Sequence, residues 1–230
     1  MNLLFDTESD NIVVHNVHKR DYDVYFCNIP SGKPKREAEK EAVKVLVHEV
    51  FGKNAVLNHR EDGAPFIDGV EEYISVSHSR FTACLAVSKK YVIGVDVEQV
   101  TERILNVIDK IVSREEQEQN DVSLKDKLRV LTKCWCVKEA VFKAEGETAG
   151  YMGENVSFSL SQLLDKRGIV STGLYEYTFN EVPIKTVHNE VFMVVLQSPL
   201  ERRDALQYLL EKFLSGEKVL AVLLDPERNF

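Results

Sequence analysis

The spacing of apolar residues changes period twice along this chain, and that order limits the folds open to it. Residues 12–28 hold short apolar and alternating pieces, which read as edge strands. From Lys33 to Gly52, Ala38, Ala42, Val45, Leu46, Val50 and Phe51 recur at helical spacing, and Gly52 is a natural stop. A turn-rich stretch, Glu61-Asp62-Gly63-Ala64-Pro65, follows. Tyr73–Ser77 alternates, and Phe81–Val87 and Tyr91–Val97 are β-rich runs joined by Ser88-Lys89-Lys90, which reads as a hairpin. Thr101–Ala144 turns helical, with one stripe of Ile104, Leu105, Ile108 and Ile111 and a later helix holding Val130, Leu131, Trp135 and Phe142. Strand patterns return at Val156–Leu160, Leu174–Phe179 and Val191–Leu196, and a last helix is expected over Ala205–Leu214. Two successive blocks of helix plus antiparallel-type strands, without regular βαβ alternation, predict an α+β chain of two similar halves rather than a doubly wound sheet. The expected division is 1–98, 99–200 and an appendage over 201–230 with no assigned role.

Composition narrows the partners. The net charge of −8 makes the chain a poor general nucleic-acid ligand, because neutralising phosphates takes surplus Lys and Arg. An anionic ligand must then meet a local basic patch. No stretch approaches the roughly 20 apolar residues of a membrane span, and the first residues lack the basic start and apolar run of a secretory signal. The expected location is cytoplasmic, with no membrane partner. Cys27, Cys84, Cys134 and Cys136 lack the CxxC spacing of a metal or redox site and are expected as reduced thiols.

Five groups of residues carry possible chemistry. In Gly94-Val95-Asp96-Val97-Glu98, strand alternation sends Val95 and Val97 to the core and puts Asp96 and Glu98 on the other face, roughly 6–7 Å apart. Two such carboxylates suit a hard divalent cation, or else simply form a wet acidic face. In Trp135-Cys136-Val137-Lys138-Glu139-Ala140-Val141-Phe142-Lys143, helical spacing gathers Trp135, Lys138, Glu139, Phe142 and Lys143 on one broad face. A carboxylate between two lysines is expected to stay ionised and able to bind metal, and the alternative is an ordinary amphipathic helix. Ser75-Val76-Ser77-His78-Ser79 ends a strand and suits an anion nest or a capping turn. Ser113-Arg114-Glu115-Glu116 reads as a helix capping box. Arg36, Lys40 and Lys44 lie four apart, so one side of the first helix is basic, either as a solvated face or as a seat for the charged end of a nucleotide.

The order of these motifs resembles the 4′-phosphopantetheinyl transferase superfamily, in the longer, monomeric surfactin-synthetase-activator type with two halves in one chain. The resemblance runs from about Lys33 to Leu160 and more loosely to Leu200. It implies a pseudo-twofold arrangement of two α+β halves and transfer of 4′-phosphopantetheine from coenzyme A to a serine of an acyl or peptidyl carrier protein. It implies Mg2+ on Asp96, Glu98 and Glu139. Lys138 and Lys143 match phosphate-contacting lysines, and Ser77 and His78 match residues that hold coenzyme A phosphates. Lys44 stands where the family often has Arg, Arg36 lies near another basic site, and Glu116 matches an acid suggested as general base; catalysis would then fall to Glu139, Glu116 and Lys143. The chain departs from the family at Gly63-Ala64-Pro65, where a lysine usually occupies the middle position and helps bind the nucleotide end. Lys218–Asp225 resembles the opening strand of a phosphoglycerol prenyltransferase barrel but is far too short to form one.

Two other readings compete: a magnesium-dependent phosphoesterase using the same acids, and a non-catalytic relative that binds coenzyme A or a carrier protein. The stripe Ile104–Ile111 would give a carrier apolar contact or pack into the core.

Overall fold

The computed structural model describes residues 3–5, 10–112, 123–145, 156, 163, 165–172, 176–182, 184–186 and 191–201. Its elements run in the order β1 (Leu3–Phe5), β2 (Val14–His18), β3 (Asp23–Asn28), α1 (Lys35–Phe51), β4 (Leu57–His59), β5 (Pro65–Ile67), β6 (Tyr73–His78), β7 (Thr82–Ser88) and β8 (Tyr91–Gln99). A 3-10 helix (Glu102–Val107) and the one-turn α2 (Ile108–Ile111) lead on to α3 (Leu124–Glu145), β9 (Arg167–Ser171), β10 (Glu176–Val182), β11 (Ile184–Thr186) and β12 (Val191–Glu201). The fold is α+β. One antiparallel sheet has the order β2-β3-β7-β6 and a second the order β8-β12-β10-β9. A short β4–β5 pair and a parallel β1–β11 pair complete the described strands.

Three cores separate four layers. Helix α1 lays Ala38, Ala42, Leu46 and Val47 on the outer face of the first sheet, against Leu85, Val87 and Cys27. The small Ala38 and Ala42 let that helix come close, and Pro34 before it and Gly52 after it (φ +89°) set its ends. Between the sheets, Val24, Phe26, Cys84 and Ala86 meet Ile93, Val95, Val97, Met193 and Val195. On the outer face of the second sheet, Leu131, Cys136, Val137, Ala140 and Val141 of α3 pack on Phe192, Val194, Leu196 and Phe179. All four cysteines are free and buried.

Several expectations need correction. β7 and β8 do not form a hairpin: β7 is flanked by β3 and β6, while β8 pairs with β12. Ser88 turns the chain from one sheet to the other, its Oγ accepting from the Tyr91 N–H at 3.2 Å and donating to the Asp21 carbonyl at 2.8 Å. The hairpin is instead β6–β7, closed by the Ser79 N–H on the Thr82 carbonyl. β3 is an interior strand, because its far edge takes β7. The expected helical stretch from Thr101 breaks: Val112 is extended (φ −139°, ψ 134°), and α3 starts after Ser123, whose Oγ accepts from the Asp126 N–H. The Ile104, Leu105 and Ile108 stripe packs into the α3 core. β4, β5 and β9 had no strong alternation to announce them. Ser113–Glu116, most of Val156–Leu160, and residues 202–230 lie outside the described residues.

Candidate active site

The site begins at Gly94. A β-carbon there would stand 1.9 Å from the carbonyl oxygen of Ala140 and 3.3 Å from the Ala144 β-carbon, so α3 crosses β8 at this glycine. Residues two and four further along share its face. Asp96 and Glu98 are therefore turned toward α3, while Ile93, Val95 and Val97 enter the core between the sheets. The acidic face is not a wet one, since Asp96 is only 4% exposed.

β8 is an edge strand of its sheet, and β6 is an edge strand of the other. Side chains join these two edges. The Val95 N–H donates to Ser75 Oγ at 3.0 Å, and the Val95 carbonyl accepts from Lys143 Nζ at 3.2 Å. Both main-chain groups of Val95 are thus satisfied without a neighbouring strand. Asp96 Oδ1 accepts from Ser77 Oγ at 2.7 Å and from Lys143 Nζ at 2.7 Å, and Lys143 Nζ also donates to Ser77 Oγ at 2.8 Å. Asp96 Oδ2 is buried without a partner of hydrogen-bond geometry.

The electrostatics follow from crowding three acids around one ammonium. Burial pushes the Glu98 carboxyl up to about 7, helped by the Asp96 and Glu139 charges and opposed by the Gln99 backbone and Lys143. Glu139 is raised by burial and by Asp96, with Lys143 only partly offsetting them. Around Glu139, burial and the Asp96 charge thus outweigh the one lysine, Lys143, that acts on it. Burial works against the Lys143 ammonium, yet the charge and hydrogen bond of Asp96, together with Glu139, leave its pKa raised. Burial lifts the Cys136 thiol, as do the neighbouring Asp96 and Glu98 charges.

The remaining expected residues fall in three places. Lys138 and Glu139 are half-buried on α3, and Phe142 beside them is 42% exposed. His78 leaves β6 on the face opposite Ser77 and meets α1, where its Nδ1 lies 3.5 Å from Glu39 Oε1 and Lys35 Nζ lies 3.6 Å from the same oxygen. Strand alternation separates Ser77 and His78 in this way. Arg36 and Lys44 are exposed on α1. Ala64 sits in the β4–β5 turn, its N–H on Asp62 Oδ1 at 2.7 Å. Glu116 lies outside the described residues. Ser75, expected in an anion nest or capping turn, accepts instead from the Val95 N–H. Cys136 and Glu39 had no expected role in this neighbourhood.

Among the described residues, no group of three or more His, Cys, Asp or Glu side chains is set to hold a metal ion, and no helix is long and apolar enough to cross a membrane. A search of curated proteins finds no significant match to the chain. Residues 92–191, somewhat under half of the chain, match the family model of the 4′-phosphopantetheinyl transferase superfamily, and that stretch runs from β8 to the start of β12 and holds Asp96, Glu98, Glu139 and Lys143.

Proposed function

We propose that this chain transfers 4′-phosphopantetheine from coenzyme A to a serine of an apo acyl or peptidyl carrier protein, releasing 3′,5′-ADP. The observation that carries the reading is the seam of Asp96, Glu98, Glu139 and Lys143 inside the stretch that matches the superfamily. The donors are of the kind Mg2+ takes, since carboxylate oxygens are hard and burial and the Asp96 charge raise Glu98 and Glu139, although the three acids are not set as a metal group in this structure. Asp96, Glu98 and Glu139 would hold the ion. When bound, it would neutralise the diphosphate oxygens and the charge growing on the leaving group.

The chain's own residues account for the rest. Arg36 and Lys44 on α1 offer cationic contacts for the phosphates of the nucleotide end, with His78 at the end of β6 and Lys138 on α3 as further donors. Lys143, bonded to Asp96, Ser77 and the Val95 carbonyl, contributes a fixed positive charge to the seam. The carrier serine attacks the β-phosphate; its new P–O bond forms as the bond to the 3′,5′-ADP oxygen breaks. Its proton passes to a carboxylate. Glu139 and Glu116 are the two candidates for that base. The two-half, pseudo-twofold organisation and a cytoplasmic monomer belong to the same proposal. Each large sheet carries one long helix on its outer face, which supports the two-half part.

The test is mass measurement of an apo carrier after incubation with the chain, coenzyme A and Mg2+. A phosphopantetheine gain on the carrier is expected. No gain across several acyl and peptidyl carriers sinks the proposal and leaves the non-catalytic or phosphoesterase readings.

A further inference from the structure

Ser77 and Lys143 have no hydrogen left to give a phosphate. The Lys143 ammonium has three N–H groups and three acceptors within 3.2 Å: Asp96 Oδ1, Ser77 Oγ and the Val95 carbonyl. The Ser77 hydroxyl has one hydrogen, and it points at Asp96 Oδ1 while its oxygen accepts from Lys143. The three side chains form a closed ring of hydrogen bonds that spans β6, β8 and α3. Ser77 and Asp96 are 6% and 4% exposed, and the Lys143 side chain is about a quarter exposed.

We propose that Ser77 and Lys143 are positioning residues for Asp96 rather than contacts for coenzyme A. The ring holds Oδ1 and leaves Oδ2 outside it, with the Cys136 thiol close to the same carboxylate. It also sutures the open edge of one sheet to the other, so the acids of β8 and α3 keep their spacing. Phosphate recognition then falls to groups outside the ring, His78 and Lys138 among them. The proposal rests on the transferase reading for its kinetic arm only.

Two measurements test it. The first is thermal unfolding of the metal-free protein in chelator. Removing one partner of a buried pair leaves the other charge uncompensated, so Lys143→Met should lower Tm by about 10 °C. Adding Asp96→Asn should recover at least about half of that loss, because the stranded carboxylate is then gone. The second is steady-state kinetics of Ser77→Ala, which removes a small group and keeps the Lys143–Asp96 pair. Its kcat should fall by about tenfold while KM for coenzyme A stays within about twofold. A Lys143→Met protein that unfolds like wild type overturns the proposal, as does failure of Asp96→Asn to recover stability. A Ser77→Ala enzyme with raised KM and unchanged kcat overturns it too. If Lys143→Met does not fold alone, the comparison of Asp96→Asn/Lys143→Met with Asp96→Asn decides: the double variant should be at least as stable. If no carrier is modified at all, the unfolding arm still tests the ring.

Discussion

The carbonyl oxygen of Ala140 lies 1.9 Å from where a β-carbon on residue 94 would stand, so Gly94 is the point at which α3 rests on β8. The obstacle is main chain, which a rotamer change cannot move. Gly94→Ala must push α3 outward or bend β8, and both shifts separate Asp96 from Lys143. A loss of about 3 kcal/mol or more in unfolding free energy is expected, at the upper end of overpacking costs. Denaturant titration measures it. A Gly94→Ala protein within 0.5 kcal/mol of wild type, on the scale of ordinary surface changes, would mean that the helix does not sit on this strand.

Much of this geometry was legible before any coordinates. The alternation of Val95 and Val97 with Asp96 and Glu98 sorted the two faces of β8, and Ala38, Ala42 and Leu46 marked the buried side of α1. What escaped was pairing. A period of two tells which residues share a face but not which strand lies alongside, so Ser88 looked like a hairpin turn when it is a crossing between sheets. The same limit hid the link between Lys143 and Ser77, 66 residues apart in the chain. Lys133 shows the limit of helix patterning in another way. A lysine in an amphipathic helix usually lies on the wet side, yet this one is 4% exposed.

Lys133 is held by Glu181 Oε2 at 2.6 Å and donates to the Asp165 carbonyl at 3.0 Å, with its ammonium 5.1 Å from the Phe192 ring centroid. This pair ties α3 to β10, away from Lys143 at the other end of the helix. Lys133→Met should destabilise the chain by about 3 kcal/mol, since Glu181 would keep a charge in a mostly buried place. The paired change to Lys133→Met with Glu181→Leu should recover most of the loss. Chemical unfolding of the three proteins measures the coupling, and additive losses in the double variant would argue against a direct pair.

Glu139→Gln separates chemistry from folding. The Glu139 carboxyl is raised because burial and Asp96 oppose its charge, so a neutral isostere relieves repulsion inside the seam. The variant should fold with equal or greater stability at neutral pH. Its transfer rate should fall by about a hundredfold or more, as expected for loss of a metal-binding or proton-accepting group. Carrier-mass kinetics and thermal melts are run on the same preparation. Wild-type rates in Glu139→Gln would refute its place among the catalytic acids.

Glu98 fixes the sign of a pH effect on stability. Its folded pKa of about 7 lies above the ordinary 4.5, so between those values the folded chain keeps a proton that the unfolded chain has released. Raising pH through that window then favours the unfolded state, and the stabilising contribution present below 4.5 is lost by about pH 7. The size is on the order of 2–3 kcal/mol, less whatever solvent reaches the partly buried carboxyl. Glu139 acts with the same sign. Glu98→Gln cannot release the proton, so in metal-free buffer it should match wild type near pH 4.5 and become progressively more stable than wild type toward pH 7.5. Unfolding free energies of the two proteins, measured across that range in chelator, give the difference directly. A flat difference would mean that Glu98 titrates as it does in water and that the seam imposes no strain on its charge.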